Sequence, residues 1–297
     1  MIDGLVLVDK PAGPTSHDVV VGVRNALGGV RVGHTGTLDP PATGLLAVVV
    51  GRATRLTRYL PREPKAYLGR LVLGLTTSTD DTTGTVLAQH DGPVPPVAEV
   101  ARAASALVGR REQVPPSVSA KHVGGKRLYK LARAGRPSLA AAVEVMIDRF
   151  TVAPTDDRAQ FDYELVVSSG TYVRACVRDL GHTLGCGASV ATLRRVAIGP
   201  WDVGTAVPWP VRAEKLRDAL VGIDMLPLAL DRVDLVDPRD GVLFSAGTAI
   251  PSPPGFVDGR EVAVHSSRGS LLGVGETRDG VLRPRVVLGG IAHPEPV

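Results

Sequence analysis

The 297-residue chain predicts an α+β fold built on a mixed sheet, and three observations carry that expectation. Apolar runs of strand length, Leu5–Val8 and Leu45–Val50, flank a segment whose apolar residues Val19, Val20, Val23 and Leu27 share one helical face. Apolar residues make up 44% of the chain and charged residues 22%, enough for a sizeable core under a polar surface. From about Val233 to Gly289 the chain changes character. Short Val/Leu runs alternate there with Gly and Pro turns, the pattern of a small β-rich barrel or roll.

The elements follow in order. Leu5–Val8 reads as a buried strand and Lys10–Pro14 as a Pro/Gly turn. Thr15 with Asp18 three residues on is a helix start, and Gly28-Gly29 ends that helix. A loop, 33–43, precedes the strand Leu45–Val50. Tyr67–Leu75 alternates as a strand, Thr76–Gly84 is polar turn material, and Val97–Leu107 is helical. Phe161, Tyr163, Leu165 and Val167 alternate as another strand. Ser169-Gly170-Thr171 then caps a helix running to about Leu184. Pro208-Trp209-Pro210 and the Asp/Pro-rich 224–240 stretch mark a domain boundary.

Composition narrows the function classes. The longest unbroken apolar run has six residues, far short of the roughly 20 that a membrane span needs. The N-terminal Met-Ile-Asp-Gly carries an acid where a secretory leader needs basic charge, so a cytoplasmic protein without a membrane association is expected. Two cysteines, Cys176 and Cys186, make neither a disulfide framework nor a four-cysteine zinc site, and no metal is expected. Charge is distributed unevenly. Residues 226–297 carry a net −2, whereas 102–136 hold nine bases against the single acid Glu112, a net +8. Leu128, Tyr129 and Leu131 are interleaved with those bases, which reads as a partly folded arm contacting phosphates rather than plain solvated surface.

The chemistry concentrates in one loop. Gly33-His34-Thr35-Gly36-Thr37-Leu38-Asp39-Pro40 sets glycines, a histidine and an aspartate just ahead of a buried strand. Pro40 stiffens the backbone that carries the Asp39 carboxylate. Asp before Pro also caps ordinary turns, and a lone histidine is commonly a hydrogen-bonded loop residue. The loop by itself leaves both readings open.

Asp9-Lys10-Pro11 with Gly13 and Thr15-Ser16, and then the loop string with Ala42-Thr43-Gly44, resemble the TruB family, bacterial tRNA pseudouridine synthases that modify the T-loop uridine at position 55. Further matches follow in order: Lys65-Ala66-Tyr67, Pro115-Pro116 with Ser119-Ala120-Lys121, Gly125-Lys126-Arg127 with Tyr129, Gly170-Thr171-Tyr172-Val173-Arg174, and Leu193-Arg194-Arg195. They cover residues from about 4 to 200. The tail resembles the family's PUA-type domain through Gly247-Thr248, Gly273-Val274-Gly275-Glu276 and Leu282-Arg283-Pro284.

The resemblance implies a pseudouridine-synthase catalytic domain over 1–225 and a PUA-like RNA-binding domain over 226–297. It implies tRNA, through its T-arm stem-loop, as the partner, with no obligate protein partner and no cofactor. Asp39 is implied as the nucleophile, by attack on C1′, addition to C6 or formation of a glycal. The target base must leave the T-loop stack, and His34 resembles the residue that fills the space it vacates. Tyr67, a core aromatic by its strand position, carries over as the ring stacked on the flipped uracil. Tyr172 and Arg174 fall in the first turn of a helix, where a cation is unfavourable unless an anion is near, and Asp39 is its expected partner. Leu193, core by default, would pack against the base. Asp81 matches an acid that positions the active-site loops, although Ser78 stands where the family commonly has another acid. Lys10 reads as structural. Lys121, Lys126, Arg127, Lys130 and Arg133 are expected to contact the RNA backbone. Two other readings share these motifs: the catalytic subunit of a guide-RNA-dependent pseudouridylation particle, and a non-catalytic tRNA-binding or folding module.

Overall fold

The computed structural model describes residues 2–117, 122–123, 126–127, 141–255 and 257–289. Among these, one eleven-stranded sheet and one five-stranded sheet organise the chain. The first strand, β1 (Gly4–Lys10), leads into helix α1 (Ser16–Ala26), then β2 (Val32–His34) and β3 (Thr43–Val50). Strands β4 (Lys65–Leu73), β5 (Leu75–Thr77) and β6 (Val86–Gln89) follow, then helix α2 (Val97–Ala106) and β7 (Gly109–Gln113). Two short strands, β8 (His122–Val123) and β9 (Lys126–Arg127), pair with each other. Strands β10 (Val143–Pro154) and β11 (Gln160–Val167), helix α3 (Val173–Thr183) and β12 (Ala188–Ile198) complete the centre of the main sheet.

The sheet is mixed. Its main path runs β1-β3-β12-β4-β11-β10-β7, with β12 parallel to β3 and the other pairs along this path antiparallel. Alternate side chains of β1 enter different cores, Leu5 and Leu7 on one face and Val6 and Val8 on the other. Burial on both faces explains why its sequence is continuously apolar. Val19, Val20 and Val23 of α1 cover one face, while Val100 and Ala104 of α2 and Val173, Cys176, Val177 and Leu180 of α3 cover the β4–β12 region. Thr15 caps α1 as its sequence foretells: its hydroxyl accepts from the Asp18 N–H, and the Asp18 carboxylate accepts from the Thr15 N–H. Gly28 and Gly29 end the helix at φ +78° and +85°.

Several local expectations need correction. Thr171 does not cap α3. Its N-cap is Tyr172, which makes no side-chain cap; the Tyr172 N–H instead donates to Gln113 Oε1 at 2.8 Å. Pro208-Trp209-Pro210 is not a boundary. Val207 and Pro208 pair in parallel with Val8 and Asp9 of β1, and the Trp209 ring lies over Gly22 of α1, close enough to meet any added Cβ at 2.4 Å. The first part of the basic run is not an arm. Arg102 lies on α2 and Arg110 and Arg111 on β7, at the edge of the main sheet.

Past Met225 the chain forms the second sheet, from Asp231 to Val287, with Val233, Leu235, Phe244, Ile250, Val262, Val264, Leu272 and Leu282 in its own core. Its strand order is 231–234, 261–265, 271–278, 281–287, 250–251, and the two end strands do not pair. Among the described residues it is an open sheet rather than a closed barrel.

Candidate active site

The loop carrying Asp39 is fixed from four sides. Lys10, fully buried at the end of β1, donates from Nζ to the carbonyls of Pro11 at 2.8 Å, Pro14 at 2.9 Å and Pro40 at 3.2 Å. The Ser16 hydroxyl accepts from the Leu38 N–H at 2.8 Å and donates to the Leu38 carbonyl at 3.0 Å. The Gly13 N–H reaches the Pro40 carbonyl at 2.9 Å. Arg195, 1% exposed, donates to the Leu45, Thr37 and Gly36 carbonyls at 2.8, 3.3 and 3.0 Å. Gly44 holds φ +101°, and a Cβ there would meet the Arg195 carbonyl at 2.2 Å, so only glycine lets β3 approach β12 here. Lys10 is therefore a loop anchor, and burial pulls its pKa down to about 8 although Asp39 acts to raise it.

This loop forms one wall of a cavity of about 230 Å³. Lys65 and Tyr67 of β4, Leu193 and Arg195 of β12, and the turn 170–174 entering α3 supply the others. On a strand, residues two apart share a face, which sets Lys65 beside Tyr67 and Leu193 beside Arg195. The cross-strand register completes the grouping, with Tyr67 opposite Arg195 and Gly69 opposite Leu193. Tyr67 is 6% exposed and belongs to the apolar core as well as to the cavity wall.

Arg174 projects from the first turn of α3 and meets Asp39, Nη2 to Oδ2, at 2.9 Å. Its Nη1 donates to the Thr79 carbonyl at 2.7 Å and lies 3.6 Å from Asp81 Oδ2. The guanidinium, with its side chain 7% exposed, thus ties the carboxylate of one loop to the 79–83 loop. Asp81 itself is set by Thr79 Oγ1 at 2.8 Å and by the Thr83 N–H and hydroxyl at 3.0 and 2.5 Å, all donating to its Oδ1. Asp81, Arg174 and Asp39 also line a smaller adjoining hollow of about 30 Å³.

Asp39, Tyr67, Tyr172, Arg174 and Leu193 are brought together around one cavity, and Asp81 touches it through Arg174. His34 is not part of that wall. It ends β2, and its Nδ1 is buried without a hydrogen-bond partner among the described residues. Burial, then Arg195 and His17, lower its pKa, so the ring is held neutral. Lys121, Lys130 and Arg133 lie outside the described residues; Lys126 and Arg127 form β9, whose side chains are not described.

Three polar residues of the site carry no functional signal in the sequence alone. Lys65 and Arg195 stand in motif positions, but a base in a strand ordinarily reads as surface. Gln113, 1% exposed, brackets Tyr172 by accepting from its N–H and donating to its carbonyl at 3.2 Å, while also reaching Cys176 Sγ at 3.3 Å. It lies 59 residues from Tyr172 in sequence, so no local pattern announces it.

Among the described residues, the cavity gathers three cations, Lys65, Arg174 and Arg195, around one carboxylate, on a mixed sheet. That fold is shared with chains of two solved assemblies. One is a Cbf5-Nop10-Gar1 complex, with TM-score 0.72 and 23% identity, over 96% of this chain and 84% of that one. The other is an H/ACA RNP bound to a substrate RNA containing 2′-deoxyuridine, with TM-score 0.72 and 21% identity, over 97% and 86%. Sequence comparison goes further. Residues 24–173 match the model of the TruB family pseudouridylate synthase N-terminal domain, and residues 174–232 match that of the tRNA pseudouridylate synthase B C-terminal domain. The chain is 40% identical to tRNA pseudouridine synthase B of Thermobifida fusca, over 98% of this chain and 100% of that protein. It is 38% identical to the same-named protein of Synechococcus elongatus, over 97% and 99%. The chain belongs to the TruB family of pseudouridylate synthases.

Proposed function

We propose that this protein isomerises uridine to pseudouridine in tRNA, acting on the T-loop uridine at position 55, with Asp39 as the nucleophile. The observation that carries the proposal is the placement of Asp39: the one carboxylate lining a basic cavity, oriented by Arg174 at 2.9 Å. A cavity of about 230 Å³ is smaller than the sites that hold drug-sized ligands and suits a single flipped nucleoside. In this reading Tyr67 stacks on the uracil, Leu193 packs against it, Tyr172 contacts the substrate from the cavity wall, and Asp81 acts through Arg174. His34 fills the space the base vacates. The reaction breaks N1–C1′, turns the base and forms C5–C1′; it is redox-neutral and draws on no group donor. Lys121, Lys126, Arg127, Lys130 and Arg133 grip the T-arm backbone.

The same reading assigns residues 1–225 to catalysis, treats 226–297 as a PUA-like unit, and places the protein in the cytoplasm with tRNA. A tRNA substrate is favoured over a guide-RNA particle because the tRNA-named relatives reach 38–40% identity, whereas the chain from the H/ACA particle stands at 21%. The test is to incubate the protein with an unmodified tRNA transcript and map pseudouridine. Product is expected in the T-loop, with none from Asp39→Asn or Asp39→Ala and tRNA affinity nearly unchanged in both. Appreciable turnover by Asp39→Ala refutes the mechanism, and modification elsewhere in the RNA refutes the position.

A further inference from the structure

Among the described residues lining the cavity, Lys65 is the cation that the fold does not consume. Arg195 spends its donors on three loop carbonyls, and Arg174 is engaged with Asp39, Asp81 and the Thr79 carbonyl. Lys65 is 9% exposed, yet among the described residues its ammonium has one hydrogen-bond partner, the Ser169 hydroxyl at 3.2 Å, and no ion-pair partner. Glu63 acts on it only at a distance, the weakest of the influences on its charge, and that carboxylate is itself held by the Ser169 N–H at 2.8 Å. A buried cation with no anion in contact is costly, and it persists where a negative charge arrives with the ligand. Its position is set from both sides. An added Cβ at Gly36 would lie 3.5 Å from Lys65 Nζ and 3.8 Å from Arg195 Nη1, so the backbone at Gly36, three residues from Asp39, faces the ammonium directly. Lys65 also shares the face of β4 with Tyr67, the ring assigned above to stack on the base.

We infer that Lys65 is a catalytic residue that donates a hydrogen bond to the uracil as negative charge grows on it, a role that rests on the reading proposed above. Every route open to Asp39 puts that charge on the base. If the carboxylate attacks C1′, an O–C1′ bond forms, N1–C1′ breaks, and the electron pair leaves on N1, shared with O2 and O4. If Asp39 instead removes the 2′ proton to form a glycal, the same pair leaves on the base. If it adds to C6, the C5=C6 pair moves toward C5 and O4. In the first route the rotated anion bonds C1′ through C5 as the Asp39 O–C1′ bond breaks. In the second it bonds C1′ of the glycal through C5 as Asp39 returns the proton to C2′. In the third N1–C1′ breaks, C5 bonds C1′, and loss of the C5 proton expels Asp39 from C6. In all three the C5 proton is lost and N1 gains one. Lys65 keeps its own proton throughout. Burial first, and Arg195 second, draw its pKa down to about 8, which leaves the ammonium form dominant at neutral pH. A donor fixed in advance in a water-poor site acts on charge that exists only as the bond breaks, so its effect falls on the chemical step.

The experiment compares Lys65→Met, of similar length without charge, and Lys65→Arg with the wild-type chain on unmodified tRNA, measuring single-turnover rate and tRNA Kd separately. For Lys65→Met a rate loss of about 100-fold is expected, with Kd held within about threefold. Lys65→Arg should recover at least about tenfold of that loss, since it restores a cationic donor that a packing role would not require. Removing an unpaired buried cation should leave thermal stability equal or higher, so the variants stay folded. A Met variant that keeps its rate but binds tRNA weakly, with a flatter salt dependence, would make Lys65 a phosphate ligand and overturn the assignment. Equal losses in the Met and Arg variants would overturn it too. Wild-type protein that makes no pseudouridine in tRNA refutes the functional reading and the role of Lys65 with it, whereas active wild type with a fully active Met variant refutes Lys65 alone.

Discussion

Replacing Arg174 by Met should both destabilise the protein and nearly silence it, and the two effects can be sized from the geometry. At an effective dielectric of about 20, Coulomb attraction is about 6 kcal/mol for the 2.9 Å pair with Asp39 and about 5 kcal/mol for the 3.6 Å pair with Asp81. Most of that gross gain is cancelled by the desolvation of a guanidinium whose side chain is only 7% exposed. The measurable cost is instead that of the groups left behind. The Asp39 side chain, 37% exposed, can take up water; that of Asp81, at 12%, cannot, and the Thr79 carbonyl also loses its donor. Breaking a buried pair by removing one partner costs about 3–5 kcal/mol, so with Asp39 rehydrated the lower end, about 3 kcal/mol, is expected. Urea unfolding reads it directly. The rate should fall further than stability alone requires, by about 10³-fold in single turnover, because the nucleophile loses its orientation. Arg174→Lys keeps the charge but cannot span both carboxylates, so its stability should be largely retained while the rate stays about 100-fold down. Arg174→Met that unfolds within 1 kcal/mol of wild type, or turns over within about tenfold of it, would refute this account of the network.

Neutralising Lys121, Lys126, Arg127, Lys130 and Arg133 should weaken tRNA binding and lower the log–log salt slope by about 0.7–0.9 for each phosphate that is no longer neutralised; an unchanged slope would return these bases to plain surface. Gln113→Leu leaves the Tyr172 N–H without its acceptor, while the Tyr172 carbonyl keeps the Cys176 N–H at 3.1 Å; it should cost about 1–3 kcal/mol in thermal unfolding while slowing the chemical step, and a stability loss with the single-turnover rate intact would make Gln113 structural only.

How much of this was legible in sequence varied with the distance over which a residue is decided. The α1 start was legible because Thr15 and Asp18 satisfy each other within one turn. The buried strands β1 and β3 were legible because burial on both faces leaves an unbroken apolar run. The Arg174–Asp39 pairing was legible for an electrostatic reason: a cation in the first turn of a helix needs a nearby anion. Other features were decided by partners far along the chain. The start of α3 slips to Tyr172 because Gln113 supplies the acceptor a local cap would have offered. Strand β10 has no clean sequence signature because its alternation breaks at the irregularity between Ile147 and Arg149. Trp209, between two prolines, has the look of a linker until α1 places Gly22 beneath its ring. Lys65 and Arg195 acquire their meaning only when β4 and β12 lie side by side, since nothing in a single strand tells a buried base from an exposed one.

The tail poses the question of whether a unit of net charge −2 binds the polyanion or serves the fold. Its bases are largely spent internally: Arg285 pairs with Glu276, Arg232 with Asp234 at 2.7 Å, and Arg278 lies 3.7 Å from Asp279. Its apolar face is not spent internally. Ala263, Leu271, Val274, Val286 and Leu288 share one core with Leu5, Leu7, Leu45 and Ala47 of the main sheet and with Leu56 and Tyr59 of the 3-10 turn 51–59. The junction is also hydrogen-bonded, with the Leu271 N–H donating to Asp224 Oδ1 at 2.7 Å and Arg52 reaching the Leu288 carbonyl at 3.2 Å. Burying five such apolar side chains contributes on the order of 10 kcal/mol, comparable to the whole stability of a typical domain. A chain ending at Met225 should therefore fail to fold or should aggregate, and its inactivity would say nothing about RNA. The informative variant keeps the full chain and changes Arg278, Arg283 and Arg285 together to Gln. If the tail serves the fold, tRNA affinity should drop less than about threefold and the salt slope by less than a single phosphate's share, well below the effect of the 121–133 bases. A loss greater than about tenfold with stability intact would show that a few tail bases grip the RNA despite the unfavourable net charge.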